Sequence, residues 1–119
     1  MSTVSLTLEK IFELAKKTLL ANGCDDVTAS ILANLIKNAE RDGSLSHGLF
    51  RLPAYVSGLK SGKINGKGKP EVQKVSTSVI KVQGNKCLAP VVLNKGLPVL
   101  AKAAKENGVA VLAINNSHH

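Results

Sequence analysis

Six consecutive apolar residues near the end of the chain, VAVLAI at 109–114, constrain the fold more than any other feature. A run of strand length with no polar interruption reads as a β-strand covered on both faces. Such a strand needs paired neighbours at its edges and a layer on each face, so a purely helical bundle is excluded. The preceding residues supply part of this. Residues 91–107 read as a helix whose beginning is blurred by Gly96 and Pro98, and Gly108 is its C-terminal cap residue. Residues 64–86 are rich in Val, Thr, Gly and Lys and read as two short strands around a turn at 76–78, with 79–82 as the apolar run. Two weak strands and one helix are too few partners for a strand buried on both faces. The chain therefore reads as the front piece of something larger, or as one that pairs with another chain.

The first half has a different texture. Thr7 can cap a helix carrying Leu8, Ile11, Phe12, Ala15 and Leu19 at helical spacing, ended by Gly23. Asp25 or Asp26 can cap a second, with Val27, Ile31, Leu35, Ile36 and Ala39 as its stripe and RDG at 41–43 as its close. A third covers most of 49–59, with Leu52, Val56 and Leu59 on one side, and ends at Gly62. The expected fold class is α/β (α+β): a three-helix unit at 1–62, then short strands, a helix and a buried strand at 63–119, the start of an α/β domain.

Composition narrows the function classes. No apolar run reaches the roughly 20 residues of a membrane helix, and no secretory signal opens the chain, because Glu9, Lys10, Glu13, Lys16 and Lys17 break the stretch 6–20. Cys24 and Cys87 match no metal or redox spacing and read as thiols of a cytoplasmic protein. The net charge of +8 admits an anionic partner. Its densest part, LKSGKINGKGKP at 59–70, carries Lys60, Lys63, Lys67 and Lys69 with no aromatic to stack on a base, which favours a solvated loop over nucleic-acid binding.

Chemistry-bearing side chains gather in two places. In SLSHGLFRLPAY at 44–55, His47, Arg51 and Tyr55 are spaced by four and four, one face of a continuous helix. Pro53 is tolerated only in a first turn, so either the helix starts near Phe50 with His47 just before it, or it bends. An Arg fork suits a carboxylate, and His47 and Tyr55 could address a neighbouring carbonyl or hydroxyl. The competing reading has Ser44 or Ser46 capping the helix, His47 capping or pairing locally and Arg51 in solvent. The second place is NNSHH at 115–119, at the C-terminal end of the apolar run, where open α/β sheets put their sites and where a histidine is a natural acid or base. His47, His118 and His119 have no carboxylate or Cys at ligand spacing, which argues against a metal. GKINGKGK at 62–69 lacks the strand and helix context of a phosphate loop.

The two blocks AERDGSLSHGLFRLPAYVSGLKSGKIN (39–65) and AKAAKENGVAVLAINNSHH (101–119) resemble the N-terminal part of the malate/L-lactate dehydrogenase family of the second type. That family also includes sulfolactate, ureidoglycolate, diketogulonate and Δ1-piperideine-2-carboxylate enzymes. The resemblance implies a partial NAD(P)-dehydrogenase fold that is not of the Rossmann kind. It implies hydride transfer between NAD or NADP and a 2-hydroxy acid, 2-keto acid or cyclic imino acid. His119, in the NSxH segment, would be the catalytic acid/base; Arg51 would hold the substrate carboxylate; Ser46, His47 and Tyr55 would line the pocket. The family's glycine-rich stretch before its central helix is replaced here by NKCLAPVVLNKG (85–96). Family members are several-fold longer, so the chain alone is expected to be inactive, with a homo-oligomer or a complementary C-terminal chain as its partner. The alternatives are a basic module for nucleic acid or anions, and a non-catalytic fragment that joins a longer relative.

Overall fold

A computed structural model describes residues 2–119, and the chain divides into two compact units, Met1–Gly66 and Lys67–His119. The first unit is helical. Helix α1, Leu8–Ala21, begins at Thr7, whose hydroxyl accepts from the Lys10 amide at 3.2 Å. Helix α2, Asp26–Arg41, begins at Asp25, whose carboxylate accepts from the Thr28 amide at 2.8 Å. Of the two candidate caps, Asp25 is the one used, which leaves Asp26 in the first turn to complement the helix dipole.

α1 and α2 pack on each other and bury Ile11, Ala15 and Leu19 of α1, and Thr28, Ala29, Leu32, Ala33 and Ile36 of α2. The α2 stripe is rotated from the one expected. Val27 and Leu35 are 61% and 39% exposed, while the small residues Thr28, Ala29 and Ala33 are inside. The physical reason is close approach: Ala and Thr let two helices draw together, and the face that fits is buried even when it is less hydrophobic.

Helix α3, Leu52–Ser61, has Pro53 in its first turn and ends at Gly62 in the left-handed conformation, φ 78°. It buries Leu52 and Tyr55 rather than a Leu52, Val56, Leu59 stripe; Val56 and Leu59 are only half-buried. The unit continues past Gly62 because Ile64 donates to the Gly58 carbonyl at 3.0 Å and the Asp25 amide donates to the Gly66 carbonyl at 2.9 Å.

The second unit is a three-stranded sheet, β1 (Glu71–Lys74), β2 (Val79–Gln83) and β3 (Val111–Asn115), in that spatial order. β1 and β2 form the expected hairpin with its turn at 75–78; β2 and β3 run parallel, joined by helix α4, Ala89–Asn107. α4 starts two residues before the expected position and carries Pro98 in its interior. Its buried face, Val91, Val92, Gly96 and Ala103, lies on the side of the sheet that holds the buried Ile80 and Val82. At Gly96 the helix comes so near that a Cβ would sit 3.1 Å from both the Leu112 Cδ2 and the Val82 Cγ2. The other face carries Gln73, Lys81, Gln83 and Asn115 around an open depression of about 500 Å³.

β3 does not have the double cover its sequence asks for. Val111 is 55% exposed and Ile114 38%, and Val109 just before the strand is 70% exposed. The cause is topological: the strand order leaves β3 at an edge, and α4 covers one face only.

Candidate functional site

Two segments hold the residues singled out by sequence, one in each unit. In the first unit, the chain between α2 and α3 forms two successive single turns of 3₁₀ helix, Leu45–His47 and Leu49–Arg51, broken at Gly48. His47, Arg51 and Tyr55 therefore do not share one continuous helix face. The helix starts just after Arg51 and His47 precedes it, as Pro53 in a first turn requires.

Neither Ser44 nor Ser46 caps a helix. Both hydroxyls meet the His47 ring instead, Ser46 Oγ at 2.9 Å and Ser44 Oγ at 3.4 Å from Nδ1. Nδ1 is thereby occupied, and Nε2 of this exposed imidazole is left for another group. Arg51 is half-buried, and its Nε is enclosed with no hydrogen-bond partner. Buried guanidinium nitrogens without partners are costly, so an orphaned Nε marks a place where an acceptor belongs. The chain's other arginine differs: Arg41 grips Asp42 through Nε at 2.8 Å and Nη2 at 3.1 Å, and this contact holds the Asp42 carboxyl below its usual range. Tyr55 is 7% exposed and belongs to the core beside Leu52.

In the second unit, the residues after β3 are not a loose tail. Asn116 takes a left-handed φ of 53°, and Asn85 and Lys86 in the β2–α4 turn take 51° and 64°. Four backbone bonds tie these two segments: Gly84 N to Asn115 O at 2.8 Å, Lys86 N to Asn116 O at 2.9 Å, His118 N to Cys87 O at 3.0 Å and Ala89 N to His118 O at 2.6 Å. The last of these satisfies the first amide of α4, which has no side-chain cap. Ser117 Oγ is buried without a partner, and His118 and His119 are exposed. Left-handed non-glycine residues held by their surroundings gather at working sites more than elsewhere. Among the described residues no cluster of three His, Cys, Asp or Glu is placed to hold a metal.

Sequence reasoning passed over Glu40. Its Oε1 accepts from the Leu49 amide at 2.8 Å across the 3₁₀ break. Nothing in the spacing of Glu40 to Leu49, nine residues on, announces that bond.

The family model for malate/L-lactate dehydrogenase matches residues 6–119, almost the whole chain and both of these segments. The chain belongs to the malate/L-lactate dehydrogenase family. Within it, the chain is 34% identical over 119 residues to Δ1-pyrroline-2-carboxylate reductase 1 of Burkholderia ambifaria, covering all of this chain and 35% of that one. It is 39% identical over 103 residues to the malate/(S)-sulfolactate dehydrogenase of Methanothermus fervidus, covering 87% of this chain and 30% of that one. The crystal structure of Δ1-piperideine-2-carboxylate reductase from Pseudomonas syringae superposes with a TM-score of 0.93 at 35% identity, over 98% of this chain and 35% of that one. The chain thus spans about a third of the length of these relatives. The mixed α/β arrangement expected from its sequence is that of the N-terminal portion of the solved family members.

Proposed function

We propose that this chain is the substrate-side, N-terminal portion of an oxidoreductase that interconverts a 2-hydroxy acid and a 2-keto acid, or reduces a cyclic imino acid. The observation that carries the reading is the orphaned Nε of Arg51, on the turn that follows the Ser46–His47 pair. An acid of either kind brings a carboxylate, the anionic acceptor a guanidinium fork takes best. Ser46 fixes one side of His47, so the ring can present Nε2 to the carbonyl or imine end of the substrate. We propose Tyr55, buried beside Leu52 in the first turn of α3, as a further residue lining the same pocket. In the second unit we propose His119 as the group that donates or accepts the proton.

A nicotinamide, NAD or NADP, is the hydride source that fits this reaction class. The described residues offer its pyrophosphate no cradle at the start of α4, because His118 O already takes the Ala89 amide. We therefore assign no cofactor contact to any residue of this chain. A partner polypeptide, a second copy or a complementary chain, would cover the free edge of β3.

The test is a titration of the ¹⁵N-labelled chain with pyruvate, following the Arg51 Nε–H signal. The expected result is a saturable shift of that signal and of the backbone amides of residues 44–55, and the amide shifts are expected to vanish in Arg51→Met and to need on the order of tenfold more pyruvate in Arg51→Lys, since Lys lacks the bidentate fork. A signal that ignores pyruvate at tens of millimolar overturns the reading. The 119-residue chain by itself is expected not to oxidise NADPH when pyruvate is added, and steady turnover would contradict its assignment as one portion of the enzyme.

A further inference from the structure

We infer that Glu40 is a positioning residue: its carboxylate sets the break between the two 3₁₀ turns and so decides how His47 and Arg51 are presented. The inference rests on the function proposed above only for its consequence, since the geometry stands by itself.

Glu40 lies in the last turn of α2 and is half-buried. Its side chain crosses to the turn that carries Arg51 and accepts from the Leu49 amide at 2.8 Å. That amide belongs to the first residue of its 3₁₀ turn and has no partner within the turn. A carboxylate supplies a stronger acceptor than a neutral group there. The arrangement has a steric half as well. The buried Gly48 backbone passes so close to Glu40 that a Cβ at 48 would overlap the carboxylate, lying 2.6 Å from Cδ and 2.8 Å from Cγ. Gly48 is therefore the residue that lets the carboxylate in, although its φ of −92° and ψ of −135° also lie outside the regions that residues with a Cβ favour. The Gly48 carbonyl in turn accepts from the Arg51 amide at 3.0 Å, and the Ser44 carbonyl accepts from the His47 amide at 2.9 Å. Glu40 thus holds the hinge between a turn that ends on His47 and a turn that ends on Arg51. Among the described residues, the two ion pairs of the chain leave Glu40 out, so its carboxylate serves this backbone contact instead.

The test uses the full 119-residue chain, with amide hydrogen exchange and ¹⁵N spectra of the Leu49 amide, the His47 ring and the Arg51 Nε–H. Glu40→Ala is expected to speed exchange of the Leu49 amide at least tenfold and to shift the His47 and Arg51 signals. Glu40→Gln, which keeps a carbonyl acceptor, is expected to restore most of both. Gly48→Ala is expected to reproduce Glu40→Ala in the native background and to have a smaller effect in the Glu40→Ala background, where the overlap is gone and only the backbone cost of an alanine at 48 is left. Two outcomes overturn the inference: His47 and Arg51 signals unmoved in Glu40→Ala, or a Gly48→Ala effect equal in both backgrounds. If the cycle behaves as expected but pyruvate perturbs nothing, Glu40 keeps its positioning role and the carboxylate-binding reading falls.

Discussion

At the scale of single residues, the useful signals are groups whose bonding is incomplete. Arg51 Nε and Ser117 Oγ are both enclosed and both lack a partner, while Arg41, the more exposed arginine, grips Asp42 through Nε and Nη2. The adjacent Asp42 marks Arg41 as paired already in the sequence, whereas the enclosure of Arg51 Nε appears only in the fold. Cys24 gives a prediction of a different kind. Burial first, and the nearby Asp25 charge second, push its thiol from 9.0 up to about 11. Below pH 9 the thiol is protonated in the folded and the unfolded chain alike. Between 9 and about 11 the unfolded chain releases this proton and the folded chain keeps it, so stability falls as pH rises through that window. Thermal melts from pH 8 to 11 are expected to show a larger drop in Tm for the native chain than for Cys24→Ala. Equal drops would mean that Cys24 is not the group responsible.

At the scale of elements, starts and stops were the legible part. Thr7, Asp25, Gly62 and Gly108 each mark an end that the structure uses. Removing the Asp25 cap by Asp25→Ala is expected to cost about 0.5–2 kcal/mol in denaturant unfolding, because the Thr28 amide loses its acceptor. α4 carries an evident local fault in Pro98, which is exposed and inside the helix. Pro98→Ala restores one backbone bond, and a gain of roughly 1–3 kcal/mol is expected in the same measurement. Gly96 is the opposite case. It looks like a helix breaker in sequence, yet it is the point where α4 touches Leu112 and Val82. Gly96→Leu should lift the helix off the sheet and cost about 1–3 kcal/mol; a neutral result would show that the contact is slack. What could not be read was which face of α2 turns inward, since that depends on how closely α1 can approach Ala29 and Ala33.

At the scale of the whole molecule, β3 is the unfinished part. Val111 donates to Ser78 and Asn115 accepts from Gly84, so residues 111, 113 and 115 turn their backbone groups to β2, while 112 and 114 turn theirs outward. An edge strand with exposed Val111 and Ile114 invites another strand. Sedimentation velocity is expected to show concentration-dependent association of the chain, reduced by Ile114→Lys. A chain that stays monomeric at high concentration would count against the open edge as an association site. No helix among the described residues is long and apolar enough to cross a membrane.

The sequence by itself determined the order and kind of the elements and most of their ends, because caps, periodicity and glycine stops are local physics. It also carried the mark of a strand meant for cover on both sides. Only the tertiary structure decided that Tyr55 goes into the core, that the serines serve His47 instead of capping a helix, and that Glu40 reaches Leu49. Each of these is set by groups that lie apart along the chain or by a choice among partners of similar chemistry, and packing makes that choice.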